Sequence, residues 1–78
     1  MDAQQLVYSV MHQLLPATKI TDDTNLADIG YNSPETKDII RAVINSRHQL
    51  GVHLPRGALD GCSTIKQIIA VVKSAQHP

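Results

Sequence analysis

Apolar residues recur at helical spacing in three stretches of this chain, and this periodicity constrains the fold more than any other feature. In the first stretch, Asp2 is a suitable N-cap. Pro16 is a stop signal, because the residue before a proline avoids helical dihedral angles. We therefore expect a first helix that runs to about Leu15. Its buried face should consist of Leu6, Val7, Val10, Met11, Leu14 and Leu15.

The other two stretches predict a helix on each side of a short apolar segment. One helix should begin at Pro34 and end near Gln49, with Gly51 as its terminating glycine. The other should follow a cap at Ser63 or Thr64 and run to about Ala75. The expected inward residues are Ile39, Ile40, Val43, Ile44 and Leu50 in the former and Ile65, Ile68, Ile69 and Val72 in the latter.

Between these helices, the segment near Arg56 to Asp60 should form one brief helix. Hydrophobic residues make up 42% of the 78 positions, and most are Leu, Ile and Val, with no Trp or Phe. Such side chains suit helix-on-helix packing in a single small domain spanning residues 1–78. The sequence thus predicts an all-α fold, a small four-helix bundle with three long helices and a short third helix.

Charge and cysteine content narrow the function classes. Seven basic and seven acidic residues give a net charge of zero, so no electrostatic field favours nucleic acid or an anionic membrane. Cys62 is the only cysteine, and the start of the chain has no signal-peptide pattern, so we expect a cytoplasmic monomer. We expect no metal site and no catalytic residue, since the spacings of His, Cys and carboxylate residues show no such pattern.

The polar turn from Asp28 to Pro34 holds the main candidate for function. Gly30 permits the positive φ angle of a tight turn, Ser33 is a suitable N-cap, and Pro34 suits the first helical position. The Ser33 hydroxyl should therefore lie at a positive helix end, which favours a phosphate ester. The alternative is that Ser33 only caps the helix.

The sequence Asp28-Ile29-Gly30-Tyr31-Asn32-Ser33 resembles the Asp-Leu-Gly-x-Asp-Ser core of acyl and peptidyl carrier proteins. The segment from Leu50 to Pro55 and the Thr64-Ile65 pair resemble later landmarks of that family, in the family's order. The resemblance implies an acyl-carrier-protein-like bundle that is not an enzyme. It also implies 4′-phosphopantetheine, derived from coenzyme A, on Ser33, with Asp28, Gly30, Asn32 and Pro34 as the flanking turn.

Three features depart from the family pattern. Asn32 stands where the family has Asp, and Pro34 stands where it has Leu or Ile. The distance from Ser33 to Gly51 is about one helical turn longer than the family's, which predicts an extra turn near Asn45 to His48. An alignment without this turn would place Thr36 at the modified position, but it would break the match from Asp28 to Ser33.

The resemblance also implies partners, namely a phosphopantetheinyl transferase and the enzymes that load, elongate or modify acyl or aminoacyl thioesters. The neutral charge resembles carriers of polyketide or nonribosomal peptide biosynthesis more than the acidic fatty-acid carriers. Partner enzymes should contact the second helix through Glu35, Lys37, Asp38, Arg41 and Arg47. The alternative hypothesis is a degenerate carrier-like module that is never modified and serves as an interaction or scaffold domain.

Overall fold

The computed structural model describes residues 2–48 and 50–76, and within them it confirms an all-α protein. Helix α1 spans Ala3–Leu14, α2 spans Pro34–Ser46 and α3 spans Ile65–Ala75, and a 3-10 turn lies at Leu26–Ile29. No strand occurs among these residues, apart from one isolated bridge between Asn25 and Thr64. Each helix in this part of the chain is too short or too polar to span a membrane.

Helix α1 follows the sequence prediction because local signals determine both of its ends. The Gln5 amide donates to Asp2 Oδ1 at 2.8 Å and the Asp2 amide donates to Gln5 Oε1 at 3.0 Å, so a capping box starts the helix. Ala3, Leu6, Val7, Val10 and Met11 are buried, and α1 contacts both α2 and α3. Each large buried side chain of this face contributes roughly 1.5–3 kcal/mol through the hydrophobic effect.

The long connection before α2 is tied to the start of α3 by main-chain hydrogen bonds. The Leu26 amide donates to the Ser63 carbonyl at 2.9 Å, and the Ile65 amide donates to the Thr24 carbonyl at 3.1 Å. Leu26 is fully buried, and Ile20 and Ile29 pack against the core, so these three residues anchor the connection.

A side-chain cluster joins the same connection to α1. The Tyr8 hydroxyl and the Gln4 amide group both donate to the Asp22 carboxylate, while the Asp22 carbonyl accepts from the Lys66 amide at 2.9 Å. Asp22 therefore links α1, the loop and α3.

Helix α2 ends earlier than expected, at Ser46, because a tertiary contact replaces its last turn. The Asn45 side chain accepts from the Leu54 amide at 2.7 Å and donates to the Leu54 carbonyl at 2.9 Å. Arg47 is already extended, with φ −92° and ψ 122°, so the extra turn predicted near Asn45 to His48 is wrong. Gly51 has the expected positive φ of 62° but lies beyond the helix end, and Gln49 lies outside the described residues.

The buried face of α2 also differs from the prediction. Ile40 and Ile44 are fully buried and Val43 packs against the core, as expected. Ile39, however, is 46% exposed, and Lys37 is buried in its place. The face of α2 that meets the core therefore includes Lys37 and excludes Ile39, unlike the face that its aliphatic residues alone indicate.

The brief helix expected near Arg56 to Asp60 is not formed, and consecutive turns occupy this segment. The Ala58 amide donates to the Pro55 carbonyl and the Asp60 amide donates to the Gly57 carbonyl, both at 3.1 Å. Gly57 has a φ of +84°, which a continuous α-helix excludes. The segment nevertheless completes the core through Leu59 and Cys62, while α3 follows its predicted bounds after a cap at Thr64.

We expect the hydrogen bond between Tyr8 and Asp22 to make stability depend on acid pH. The Tyr8 hydroxyl, followed by the Gln4 amide group, lowers the pKa of the Asp22 carboxyl below its ordinary value of 3.8. A carboxyl group with a lowered folded-state pKa stabilises the fold above its unfolded-state pKa. This contribution is lost as pH falls through the folded-state value. Tyr8→Phe should therefore lower the melting temperature at neutral pH, and the deficit should shrink as pH falls below the ordinary carboxyl pKa of 3.8.

Thermal unfolding of both proteins across the acid range, followed by circular dichroism, measures this deficit. Tyr31→Phe is the matched control, because Tyr31 is the only other tyrosine and also packs beside the core. A Tyr8→Phe deficit that stays constant down to strongly acid pH would show that the effect of the hydroxyl does not depend on the charge of the Asp22 carboxylate.

Candidate functional site

The turn before α2 places Ser33 at the surface, as the sequence predicts. Gly30 ends the 3-10 turn in the left-handed region, with φ 79° and ψ 19°. The Tyr31 amide donates to the Leu26 carbonyl at 2.9 Å, which ties the turn to a fully buried residue. The chain then continues through exposed Asn32 to exposed Ser33.

Ser33 is the N-cap of α2, and its hydroxyl is bonded to the first helical turn. Its Oγ accepts from the Thr36 amide at 3.1 Å, and its own amide donates to Thr36 Oγ1 at 3.1 Å. Pro34 occupies the first helical position, where a missing amide hydrogen costs no helical bond. The capping prediction is confirmed, and the hydroxyl remains accessible from solvent.

The other residues of the turn shape the chain and leave the hydroxyl uncovered. Asp28 lies in the 3-10 turn and is exposed, and the described residues include no hydrogen bond from its side chain to Ser33. Asn32 and Pro34 flank the serine and are both exposed. A large molecule can therefore approach Ser33 from the solvent side.

An open groove of about 330 Å³ begins at Pro34, the residue after Ser33, and lies between the first turns of α2 and the turn segment that follows Pro55. Its walls are Pro34, Glu35, Asp38, Arg56, Gly57 and Asp60. Lys37 fixes the distance between the two walls, because its Nζ donates to the Asp60 carbonyl at 3.1 Å. Lys37 is 8% exposed, so this expected partner contact lies inside the fold.

The remaining residues expected to contact partners differ in their exposure. Glu35 is exposed, while Asp38 accepts from Arg41 Nε at 2.6 Å. This hydrogen bond lowers the pKa of the Asp38 carboxyl and raises that of the Arg41 guanidinium. Arg41 Nη1 also donates to the Leu54 carbonyl at 3.2 Å, so the guanidinium is held against the protein.

Arg47 connects two helices. Its guanidinium donates to Ser9 Oγ at 2.9 Å and to the Gln13 side chain, and both acceptors lie on α1. The sequence could not indicate this contact, because more than 30 residues separate the partners.

The site is also organised by Thr36 and Asn45, and the sequence did not indicate this role for either residue. Thr36 lies three residues after the cap, where a capping box usually has Glu or Gln, so the usual signature was absent. Asn45 acts through a segment nine residues away and leaves no local signal.

The surroundings of Cys62 disfavour a reactive thiol. Cys62 is buried, and loss of solvation raises the pKa of its thiol, which disfavours the reactive thiolate. Within residues 2–48 and 50–76, no group of three His, Cys, Asp or Glu side chains is placed to hold a metal ion.

Comparisons with protein-family models, curated proteins and solved structures returned no match to this chain.

We expect Arg47→Ala to destabilise the fold by about 1–2 kcal/mol, because it removes two hydrogen bonds from a charged donor between α2 and α1. Chemical denaturation monitored by circular dichroism gives the change in free energy of unfolding. Lys19→Ala removes a charge from an exposed loop position and should change stability by less than about 0.5 kcal/mol. Equal effects of the two substitutions would show that the contact between Arg47 and α1 contributes nothing to the free energy of unfolding.

Proposed function

We propose that this protein is a carrier protein that holds acyl or aminoacyl intermediates as thioesters on a 4′-phosphopantetheine arm attached to Ser33. The observation that supports this proposal is the accessible Ser33 hydroxyl at the N-terminus of α2, within the carrier-like sequence from Asp28 to Ser33. The protein then acts as a tether, and partner enzymes perform the chemistry.

The helix end is suited to the product of such a modification. A phosphodiester on Ser33 carries negative charge, which the partial positive charge of a helix N-terminus stabilises. Glu35 and Thr36 contribute the first helical amides, since Pro34 has none. The helix end thus stabilises the negative charge of the ester, while the negative charge of Glu35 repels it.

The groove beside Ser33 is consistent with a flexible arm. Its volume of about 330 Å³ is enough for part of an extended arm, and it opens directly to solvent. Bound there, the arm would supply a terminal thiol that holds the acyl group. A tether of this kind keeps its cargo at high local concentration near successive enzymes.

In finer terms, we propose a carrier-like helical bundle in which the turns after Pro55 take the place of a short third helix. Near-neutral charge favours cytoplasmic polyketide or nonribosomal peptide biosynthesis as the setting. For docking, we favour Glu35, Asp38 and exposed Ile39 on α2, because the cationic groups of Lys37, Arg41 and Arg47 are engaged within the fold.

Incubation with coenzyme A and a broad-specificity phosphopantetheinyl transferase should add a single phosphopantetheine group, on Ser33. Intact mass measures the addition, and peptide mapping locates it. Ser33→Ala should remain unlabelled, while Ser63→Ala, which changes an exposed serine elsewhere, should be labelled like the wild type. An unlabelled wild type would favour the unmodified scaffold, and label on Thr36 would require the other alignment.

The double substitution Asn32→Asp and Pro34→Leu should accelerate modification. It restores the acidic and apolar side chains of the carrier sequence at two exposed positions beside the hydroxyl. Stability should change by no more than about 1 kcal/mol, because neither residue is buried. A time course with one transferase, read by mass, measures the rate. An unchanged or lower rate would show that Asn32 and Pro34 do not limit recognition.

A further inference from the structure

Four short contacts join Ser33 to Thr36. Besides the two amide hydrogen bonds described above, Thr36 Oγ1 donates to the Ser33 carbonyl at 3.0 Å, and the two hydroxyl oxygens lie 2.9 Å apart. Ser33 is exposed, whereas Thr36 is half-buried.

These contacts favour one arrangement of the hydroxyl hydrogens. The Thr36 hydroxyl has one hydrogen, and in this arrangement its bond to the Ser33 carbonyl uses it. Ser33 then donates to Thr36 Oγ1 across the contact between the two oxygens. Ser33 Oγ then accepts from the Thr36 amide and keeps one lone pair, which faces away from Thr36.

The other two helices show that capping alone does not require this arrangement. The corresponding position is Gln5 in α1 and Gln67 in α3, and each glutamine accepts from the amide of its N-cap residue. A glutamine in this position completes the capping box by accepting a hydrogen bond from the main-chain amide of the cap residue. The threonine in α2 adds a bond to the side-chain oxygen of the cap itself.

We propose that Thr36 is a positioning residue for the attachment of phosphopantetheine to Ser33, an inference that rests on the proposed function. Its hydroxyl holds the Ser33 hydroxyl in one orientation, with the free lone pair towards solvent and the hydrogen towards Thr36. The transferase thus meets an oriented nucleophile.

The transfer reaction takes place at Ser33 Oγ. Ser33 Oγ forms a bond to the phosphorus next to the pantetheine unit of coenzyme A. The bond from that phosphorus to the bridging oxygen of the pyrophosphate breaks, and adenosine 3′,5′-bisphosphate leaves. As the bond to phosphorus forms, the Ser33 hydroxyl hydrogen turns away from Thr36 about the Cβ–Oγ bond and passes to a base of the transferase. The Thr36 hydroxyl is then free to turn its hydrogen from the Ser33 carbonyl to Ser33 Oγ, and the Thr36 amide already donates to that atom.

Two substitutions, Thr36→Gln and Thr36→Ser, distinguish a role of Thr36 in positioning the Ser33 hydroxyl from its role in capping the helix. Glutamine keeps the capping box that α1 and α3 use, so the melting temperature should stay close to that of the wild type. Its transfer rate at saturating coenzyme A should fall about ten-fold or more, because the nucleophile is no longer oriented. The KM for coenzyme A should not change. Thr36→Ser keeps the hydroxyl and should react at nearly the wild-type rate.

Transferase kinetics followed by mass, together with NMR couplings between the α and β protons of Ser33, provide the measurements. The couplings should indicate one rotamer in all three proteins, because each keeps the bond from the amide of residue 36 to Ser33 Oγ, so a lower rate in Thr36→Gln would come from the lost hydroxyl contact. Equal transfer rates for the wild type and Thr36→Gln would overturn the inference and leave the proposed function standing. A wild type that accepts no phosphopantetheine would overturn both.

Discussion

Main-chain hydrogen bonds between the loop before α2 and the first turn of α3 determine where Ser33 lies. The loop is long, and ordering it costs conformational entropy that local contacts alone do not offset. The bonds from Leu26 to Ser63 and from Ile65 to Thr24 fix the loop on the core, and buried Leu26 anchors it. From this fixed point, the 3-10 turn and Gly30 lead the chain over a few residues to the N-terminus of α2. The position of the serine therefore depends on a helix that follows it by some 30 residues in the chain.

The parts of the fold that the sequence predicted are those determined by near neighbours. Caps, prolines and apolar spacing gave the bounds of α1 and α3, because these signals act within one or two helical turns. The cap at Ser33 and the positive φ at Gly30 are local in the same sense. The proposed carrier function rests on a resemblance in sequence, and the fold is compatible with several functions.

The parts that could not be predicted depend on contacts between distant residues. Asn45 ends α2 by bonding to Leu54, and Lys37 enters the interior because the Asp60 carbonyl accepts its ammonium group. A lysine normally indicates an exposed position, and periodicity alone assigned Ile39 to the core instead. Arg41 and Arg47 show the same limit, since a sequence gives the presence of a charge but not the partner that engages it.

The wall of the groove opposite α2 consists of single turns, which open more independently of one another than the turns of a helix. Each turn is closed by one main-chain hydrogen bond, whereas the bonds of a helix form and break cooperatively. One turn can therefore open while its neighbours stay closed. Lys37 and the buried side chains of Leu59 and Cys62 hold the segment at separate points. The groove thus has one wall that is a continuous helix and one wall that is a series of separately closed turns.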